Sequence, residues 1–307
     1  MKNCYQLLKS GWQRRQVDDC WCQNNGIIRR MKKQICHWQS YAKAWDGQDL
    51  PLRPTELDMA NYRQLSGRVF NQFEPSRTVA LILGVTPELE ELAAASHQQV
   101  YCVDSSMQMI TNVWTGGYDS AMQADWAILP IANGVVDTVY CDGGLHLMPP
   151  RQLCIAIAEI SRVLNSQGRL IARLFLPPEW AEPLTAVHQR FLNNDARSIN
   201  WLKVWLWHAI EINTQAEAGV CLADIWQVLE QWSAGKEVDH WLTDLGLTDQ
   251  QIATVKIYRD NPTHYYFTDA VKLAELMARH GNFAVEARLN PQYQQGSQFP
   301  VIAYVKN

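Results

Sequence analysis

The sequence lacks several features that would each assign it to a familiar class. It has no run of about 18 apolar residues, so no segment is expected to span a membrane. Its N-terminus has no apolar stretch of the kind that a secretory signal carries, which predicts a cytoplasmic protein. It also lacks a Gly-Lys-Ser/Thr phosphate loop, a G-x-G-x-x-G dinucleotide loop and a nucleophile motif. These absences argue against a membrane protein, a P-loop enzyme and a dinucleotide-dependent oxidoreductase.

The eight cysteines form no metal-binding pattern. Cys20 and Cys22 are separated by one residue rather than two, and no second pair of Cys or His residues follows them. We therefore predict no metal site. Cys102 and Cys141 lie inside apolar runs, and we expect both to be buried free thiols, as in a reducing compartment.

Charge is distributed unevenly along the chain. The net charge is −4, but the first forty residues carry eight Lys or Arg against two Asp, which is +6 and leaves −10 for the rest. We predict that residues 1–36 form a basic, flexible arm, of which residues 1–30 are dispensable. Such an arm can contact nucleic acid or anionic lipid. No other feature indicates a nucleic-acid or membrane partner, and the oligomeric state stays open.

Short apolar runs and amphipathic segments alternate between residues 79 and 175. Strands are predicted at 79–83, 100–103, near 122, 135–141 and 170–175, with helices at 86–95, 105–113 and 151–164. This alternation is typical of βαβ units in a mainly parallel sheet, which binds ligands at the carboxyl ends of its strands. We therefore assign residues 37–176 to N-terminal helices followed by a Rossmann-like α/β core.

The alternation stops at Pro177. Residues 177–252 are helical by pattern and hold seven of the thirteen tryptophans, which predicts a helical cap inserted into the α/β fold. Strands predicted at 253–258, 283–289 and 301–305, with a helix at 268–279, then complete the sheet within residues 253–307.

The clearest candidate site lies where the first two predicted strands end. Gly84 allows a tight turn, and the helix that follows Thr86 offers free N–H groups to a polar ligand. Asp104 comes 20 residues later, with Ser105 beside it, where a nucleotide-binding sheet places a carboxylate for two ribose hydroxyls. The alternative is that Asp104 only caps the next helix.

The order of these motifs resembles that of class I S-adenosylmethionine-dependent methyltransferases over residues 79–176, and more loosely over 253–305. The resemblance rests on Leu83-Gly84, Asp104, Asp125-Trp126, Asp142-Gly143, Arg162-Val163-Leu164 and Gly168-Arg169-Leu170. It implies a seven-stranded sheet with one antiparallel strand and S-adenosylmethionine as cofactor. By position it implies that Asp104 holds the ribose and Asp125 the adenine amino group, with Trp126 beside the ring. Asp142 and Gly143 would border the methionine part.

One motif departs from the family pattern. Ile82 stands where an acidic residue is usual, and Thr86 and Glu88 stand where glycines are expected. A loop poor in glycine approaches a ligand less closely. This departure leaves a second interpretation open, a cofactor-binding or partner-binding module without transferase activity. A nicotinamide-dependent oxidoreductase is a third interpretation, against which the missing G-x-G-x-x-G loop and the positions of Asp125-Trp126 and Asp142 argue.

The acceptor side is less specific. His146 is placed to act as a general base, although a single loop histidine is often structural. Arg173 faces the acceptor or pairs with a core acid. Two interpretations are open for Trp201, Trp205 and Tyr265, which either line the acceptor pocket or pack in a core. We expect a small-molecule acceptor in a pocket between residues 142–146 and the cap, lined there by Trp201 and Trp205.

Overall fold

The computed structural model describes residues 37–70, 78–180, 182–193, 198–211 and 219–307. The basic arm predicted for residues 1–36 lies outside these ranges. Among the helices inside them, none is long and apolar enough to cross a membrane.

A seven-stranded sheet forms the centre of the α/β core. The strands of the chain are β1 (Val79–Leu83), β2 (Gln99–Asp104), β3 (Ala121–Gln123), β4 (Val136–Asp142), β5 (Leu164–Arg173), β6 (Val220–Cys221), β7 (His264–Tyr265), β8 (Phe283–Leu289) and β9 (Val301–Lys306). The sheet has the order β3-β2-β1-β4-β5-β9-β8, and β6 and β7 form a separate ribbon. Strands β1 to β5 pair in parallel, whereas β9 runs antiparallel to both β5 and β8. The predicted sheet, mostly parallel with one antiparallel strand, is confirmed.

The described residues form eleven α-helices, numbered in chain order. They are α1 (residues 37–43), α2 (Glu56–Phe70), α3 (Pro87–Ala94), α4 (Met107–Asn112), α5 (Pro150–Val163), α6 (Leu184–Asn193), α7 (Ile199–Glu211), α8 (Leu222–Trp232), α9 (Val238–Asp244), α10 (Asp249–Lys256) and α11 (Ala270–Gly281). Local sequence explains where several begin. Ser106 and Asp269 accept a hydrogen bond from the first turn of α4 and α11, and Pro87 and Pro150 occupy the first position of α3 and α5.

Strand β1 lies in the middle of the sheet, and its residues Val79–Leu83 are all apolar because both of its faces are covered. In β1, Ala80 and Ile82 pack with α2, α3 and α4 on one face, while Leu81 and Leu83 pack with α5 and α11 on the other. The alternation follows from the two-residue repeat of a strand. This two-sided core leaves only the strand ends open to a ligand.

Helices α6 to α10 and the β6–β7 ribbon form the cap, which has its own apolar core. One predicted strand does not exist, and the bounds of another are wrong. The segment 253–258, predicted as a strand, belongs to α10 and the turn after it, because Thr248 and Gln251 form a capping box that starts a helix there. Strand β5 runs from Leu164 to Arg173 rather than over 170–175.

The stretch 37–53, which we call the strap, connects the cap to the α/β core. His37 contacts the hydroxyl of Tyr265 at 2.9 Å, and Lys203 of α7 donates to Gln48 at 3.2 Å. At its other end, Arg53 forms an ion pair with Glu88 in the first turn of α3, at 2.6 Å. The strap therefore passes over the carboxyl ends of the central strands.

Candidate cofactor and acceptor site

A cavity of about 410 Å³ opens at the carboxyl ends of β1, β2 and β4. Ten of the predicted site residues line it, namely Gly84, Thr86, Asp104, Ser105, Asp125, Trp126, Asp142, Gly143, His146 and Tyr265. The remaining three, Arg173, Trp201 and Trp205, do not. Because parallel strands end at the same edge of a sheet, residues far apart in sequence meet there.

The turn after β1 is built on Gly84. Its φ is +86°, a conformation that favours glycine, and its N–H donates to Val103 at 2.9 Å. Thr86 is the N-cap residue of α3, but its side chain makes no capping hydrogen bond. Thr86 is buried and lines the cavity. The loop therefore has the tight turn of the family and a side chain where the family has glycine.

Asp104 ends β2 and is 9% exposed. Its Oδ1 accepts the N–H of Ser106 at 2.7 Å, so the carboxylate does hold the start of α4. Burial raises its pKa from 3.8 to about 6, opposed by hydrogen bonds from the Ser106 and Val85 amides. A buried carboxylate beside an open cavity is suited to accept hydrogen bonds from a ligand's hydroxyls.

The loop after β3 carries Asp125 and Trp126. The Oδ1 of Asp125 accepts the N–H of Ala127 at 2.9 Å in an Asx turn, and the side chain still lines the cavity. The indole of Trp126 donates to Val103 at 2.9 Å and packs against Gly84 and Gly144, where any Cβ on Gly144 would lie 2.4 Å from the ring. Trp126 is therefore fixed next to the turn after β1.

Asp142 ends β4 and is held by Arg173 of β5. The two form a bidentate contact of 2.5 and 3.0 Å, and a further oxygen of Asp58 lies 3.4 Å from the guanidinium. Burial raises the pKa of Asp142, and the Arg173 guanidinium, in bidentate contact with its carboxylate, opposes this rise. The arginine side chain is completely buried. Of the two possibilities left open, Arg173 pairs with core acids and does not face the acceptor.

Gly143 turns the chain after β4 with a φ of +61°. A Cβ on this residue would lie 2.8 Å from the ring of Phe175. The backbone can therefore approach Phe175 only because residue 143 is glycine.

His146 lies between the rings of Phe175 and Phe267, nearly parallel to both, at centroid distances of 4.6 and 5.4 Å. Burial lowers its pKa to about 3, with further lowering by His208 and Arg173. A neutral imidazole with this pKa is a weak proton acceptor at pH 7. Its stacking between two rings, together with the lowered pKa, favours hydrogen bonding over the general-base role suggested by the sequence.

Trp201 and Trp205 lie away from the cavity, which corrects the expectation for the cap. They stack on each other at 6.0 Å, and Arg190 lies over the ring of Trp205 at 4.8 Å. The residue of α7 that lines the cavity is Trp207, which contacts Tyr265 edge-to-face at 5.3 Å. The reason is helical phase, since a shift of two residues turns a side chain to a different face.

Sequence reasoning missed the strap residues that complete the wall, Trp38, Tyr41 and Trp45. Their spacing of three and four residues was the available signal, because it places three rings on one helical face. Trp38 and Tyr41 touch edge-to-face at 5.0 Å, and Tyr41 and Trp45 at 6.4 Å. An apolar stripe of this kind reads equally well as core, so the pattern alone could not place it at a cavity.

In the part of the chain that the structure describes, no group of three or more His, Cys, Asp or Glu could hold a metal ion. The cavity walls combine carboxylates at the strand ends with aromatic, aliphatic and neutral polar side chains. This donor set suits an organic ligand with hydroxyl and amino groups.

Comparison with known proteins agrees with this geometry. Residues 83–172 match the family model described as a methyltransferase domain. A stretch of 104 residues is 30% identical to the ubiquinone/menaquinone biosynthesis C-methyltransferase UbiE of Rubrivivax gelatinosus. That match covers 32% of this chain and 39% of the relative, so the similarity spans about two fifths of the relative's length.

Among solved structures, the chain is similar to "Putative Zn-dependent Alcohol Dehydrogenases" from Rhodobacter sphaeroides, with a TM-score of 0.58 and 14% identity. The alignment covers 90% of this chain and 99% of that one. At this identity the likeness establishes the fold alone. The observed strand order, mostly parallel with one antiparallel strand, agrees with the methyltransferase domain that residues 83–172 match.

Proposed function

We propose that this protein binds S-adenosylmethionine and transfers its methyl group to a small-molecule acceptor. One observation carries the proposal: Gly84, Asp104 and Asp125, at three successive strand ends of the matched domain, line one cavity. The cofactor supplies an electrophilic methyl group on a sulfonium, and the protein supplies binding, orientation and exclusion of water.

Each strand end has a proposed role towards the cofactor. Asp104 accepts hydrogen bonds from the two ribose hydroxyls. An ionised carboxylate has about four acceptor positions on its two oxygens, and the Ser106 N–H uses one of them. Asp125 accepts a hydrogen bond from the adenine amino group, and Trp126 packs beside the adenine ring. Asp142 and Gly143 border the methionine part, with Asp142 fixed in orientation by Arg173.

Bound S-adenosylmethionine would supply the methyl group, and a lone pair of the acceptor would displace the sulfur from its carbon. The products are the methylated acceptor and S-adenosylhomocysteine, and a proton on the accepting atom is lost to solvent or to a neighbouring group. The cap and the strap enclose this region, as an in-line displacement in a water-excluded site requires.

The second candidate is a binding module without transferase activity. Two observations favour it: Thr86 occupies a glycine position of the cofactor loop, and His146 is a poor base. The two candidates separate when the protein is incubated with methyl-labelled S-adenosylmethionine and a small-molecule cell extract. A labelled product absent from the Asp104→Ala control supports transfer, whereas cofactor binding without any labelled product supports the module.

The cofactor is tested by calorimetric titration of the full chain with S-adenosylmethionine, S-adenosylhomocysteine and NAD. We expect the first two to bind and NAD not to bind. Asp104→Ala should weaken binding by about 1.5–3 kcal/mol, the range for hydrogen bonds to a charged group. Asp119→Ala, an exposed carboxylate in the neighbouring turn, is the matched control and should bind normally. Unchanged affinity in a folded Asp104→Ala variant refutes the assignment.

We also propose that the protein works in the cytoplasm. Cys102, Cys141, Cys154 and Cys221 are free, and the first two are buried in the sheet, as predicted. Thiols of this kind persist in a reducing compartment.

A further inference from the structure

The acceptor side of the cavity is lined by rings from two separate parts of the chain. The strap contributes Trp38, Tyr41 and Trp45, and the cap side contributes Trp207 and Tyr265. The two sets adjoin, because His37 at the start of the strap contacts the Tyr265 hydroxyl at 2.9 Å. Aromatic walls on this scale favour a ligand that offers flat apolar faces.

In the described part of the chain, the acceptor side of the cavity offers no unpaired charged side chain to a ligand. Among the residues that the structure describes, no lysine or arginine lines the cavity, so an anionic acceptor would lack a partner there. Asp142 is already paired with Arg173, and Asp104 and Asp125 lie at the strand ends assigned to the cofactor. A cationic acceptor would add a second positive charge next to the sulfonium. The wall therefore suits a neutral molecule.

Two polar atoms of these walls are buried and have no hydrogen-bond partner within the described ranges, namely the indole N–H of Trp45 and Nδ1 of His146. The hydroxyl of Tyr41, on a side chain that is 8% exposed, belongs to the same walls. Buried polar groups normally find a partner, so such atoms around a cavity indicate a ligand that hydrogen-bonds as well as stacks.

From these observations, and resting on the proposed function, we infer that the methyl acceptor is a neutral, planar, conjugated molecule with a hydrogen-bonding group. The strap forms its wall: Trp38 and Trp45 stack on its faces, and Tyr41 hydrogen-bonds to it. The strap is thus a part of the substrate site that the matched methyltransferase domain, residues 83–172, does not contain.

The test is calorimetric titration of the full chain at pH 7.5 with four bicyclic probes of one size. These are 2-naphthol (planar, neutral), 2-naphthoate (planar, anionic), N-methylquinolinium (planar, cationic) and 2-decalol (neutral, saturated). Each is titrated with and without saturating S-adenosylhomocysteine, whose own binding is measured first. We expect 2-naphthol to bind at least about tenfold more tightly than the other three, since each of them loses a stacking or charge match.

Variants locate the binding. Trp45→Leu and Tyr41→Phe should each weaken 2-naphthol binding by about 2- to 10-fold, from lost stacking and a lost hydrogen bond. Both should leave the affinity for S-adenosylhomocysteine within about twofold, as the strap is not assigned to the cofactor. Trp201→Leu, a partly exposed tryptophan of the cap away from the cavity, is the matched control and should change neither.

The outcomes separate the two proposals. If S-adenosylhomocysteine does not bind, the proposed function is wrong, and the probe titrations without it still decide the acceptor class. Equal or tighter binding of 2-naphthoate or N-methylquinolinium overturns the neutral acceptor, and equal binding of 2-decalol overturns the planar one. If no probe binds, or if Trp201→Leu weakens 2-naphthol as much as Trp45→Leu does, the assignment of the strap is wrong.

Discussion

Replacing Asp104 by asparagine should change stability and cofactor binding in opposite directions. Burial raises the pKa of Asp104 from 3.8 to about 6, so the folded state disfavours the ionised carboxylate that the unfolded chain carries. At 1.36 kcal/mol per pKa unit, this difference means that ionised Asp104 destabilises the protein by about 3 kcal/mol at neutral pH. Asparagine keeps an oxygen for the Ser106 N–H and never ionises.

The sign of the pH dependence follows from proton binding. Between pH 3.8 and about 6 the folded protein holds the Asp104 proton while the unfolded chain has lost it, so wild-type stability falls as pH rises through this window. Above about pH 6 the penalty is constant, and below 3.8 it is absent. We therefore expect Asp104→Asn to be more stable than wild type by up to about 3 kcal/mol at pH 7.5 and by about half of that at pH 5.

Urea unfolding of the ligand-free protein, followed by tryptophan fluorescence at the two pH values, measures this gain. Asp119→Asn, in which an exposed carboxylate is replaced, is the control and should show no gain at either pH. In Asp104→Asn, S-adenosylhomocysteine should bind about 10- to 150-fold more weakly than in wild type, because the charged acceptor of the ribose hydroxyls is lost. A variant less stable than wild type at pH 7.5, or a gain of the same size at both pH values, would refute the reasoning from burial.

Three further predictions concern the surroundings of the site. Arg173→Met leaves two buried carboxylates unpaired and should destabilise the protein by about 3–5 kcal/mol in urea, whereas Arg63→Met, which breaks an exposed ion pair, should have almost no effect. Gly143→Ala forces an unfavourable φ and a contact with Phe175, and should lower the melting temperature more than Gly117→Ala, which meets open space. A shortened chain starting at Met31 should keep the melting temperature and cofactor affinity of the full chain; a large loss of either would show that residues 1–30 pack on the domain.

The cofactor half of the site could be anticipated because each of its residues is tied to a local pattern. An apolar run followed by Gly84, and another followed by Asp104, mark strand ends, and the carboxyl ends of parallel strands must meet. The sheet order and the single antiparallel strand agree with what the resemblance implied. The roles assigned to Asp104, Asp125 and Asp142 remain proposals.

The acceptor half could not be anticipated in the same way. Trp201, Trp205 and Trp207 lie within seven residues of one helix and differ only in phase, and the direction in which α7 faces the cavity is set by its packing in the cap core. Likewise, the sequence around Arg173 is equally compatible with a side chain that faces the acceptor and with one that pairs with a core acid. The contacts with Asp142 at the end of β4 and with Asp58 of α2, more than a hundred residues earlier, place Arg173 in a buried ion pair.

By itself, the sequence determined the secondary structure of the core, the class of the sheet and the edge at which the cavity opens, since these depend on periodicity and strand ends. Tertiary structure alone decided which aromatic rings enclose the cavity. The strap is held by contacts from His37 to Tyr265, from Gln48 to Lys203 and from Arg53 to Glu88, all between residues distant in sequence. No local pattern encodes such contacts, because their stability comes from burial and charge pairing between segments that meet only once the chain has folded.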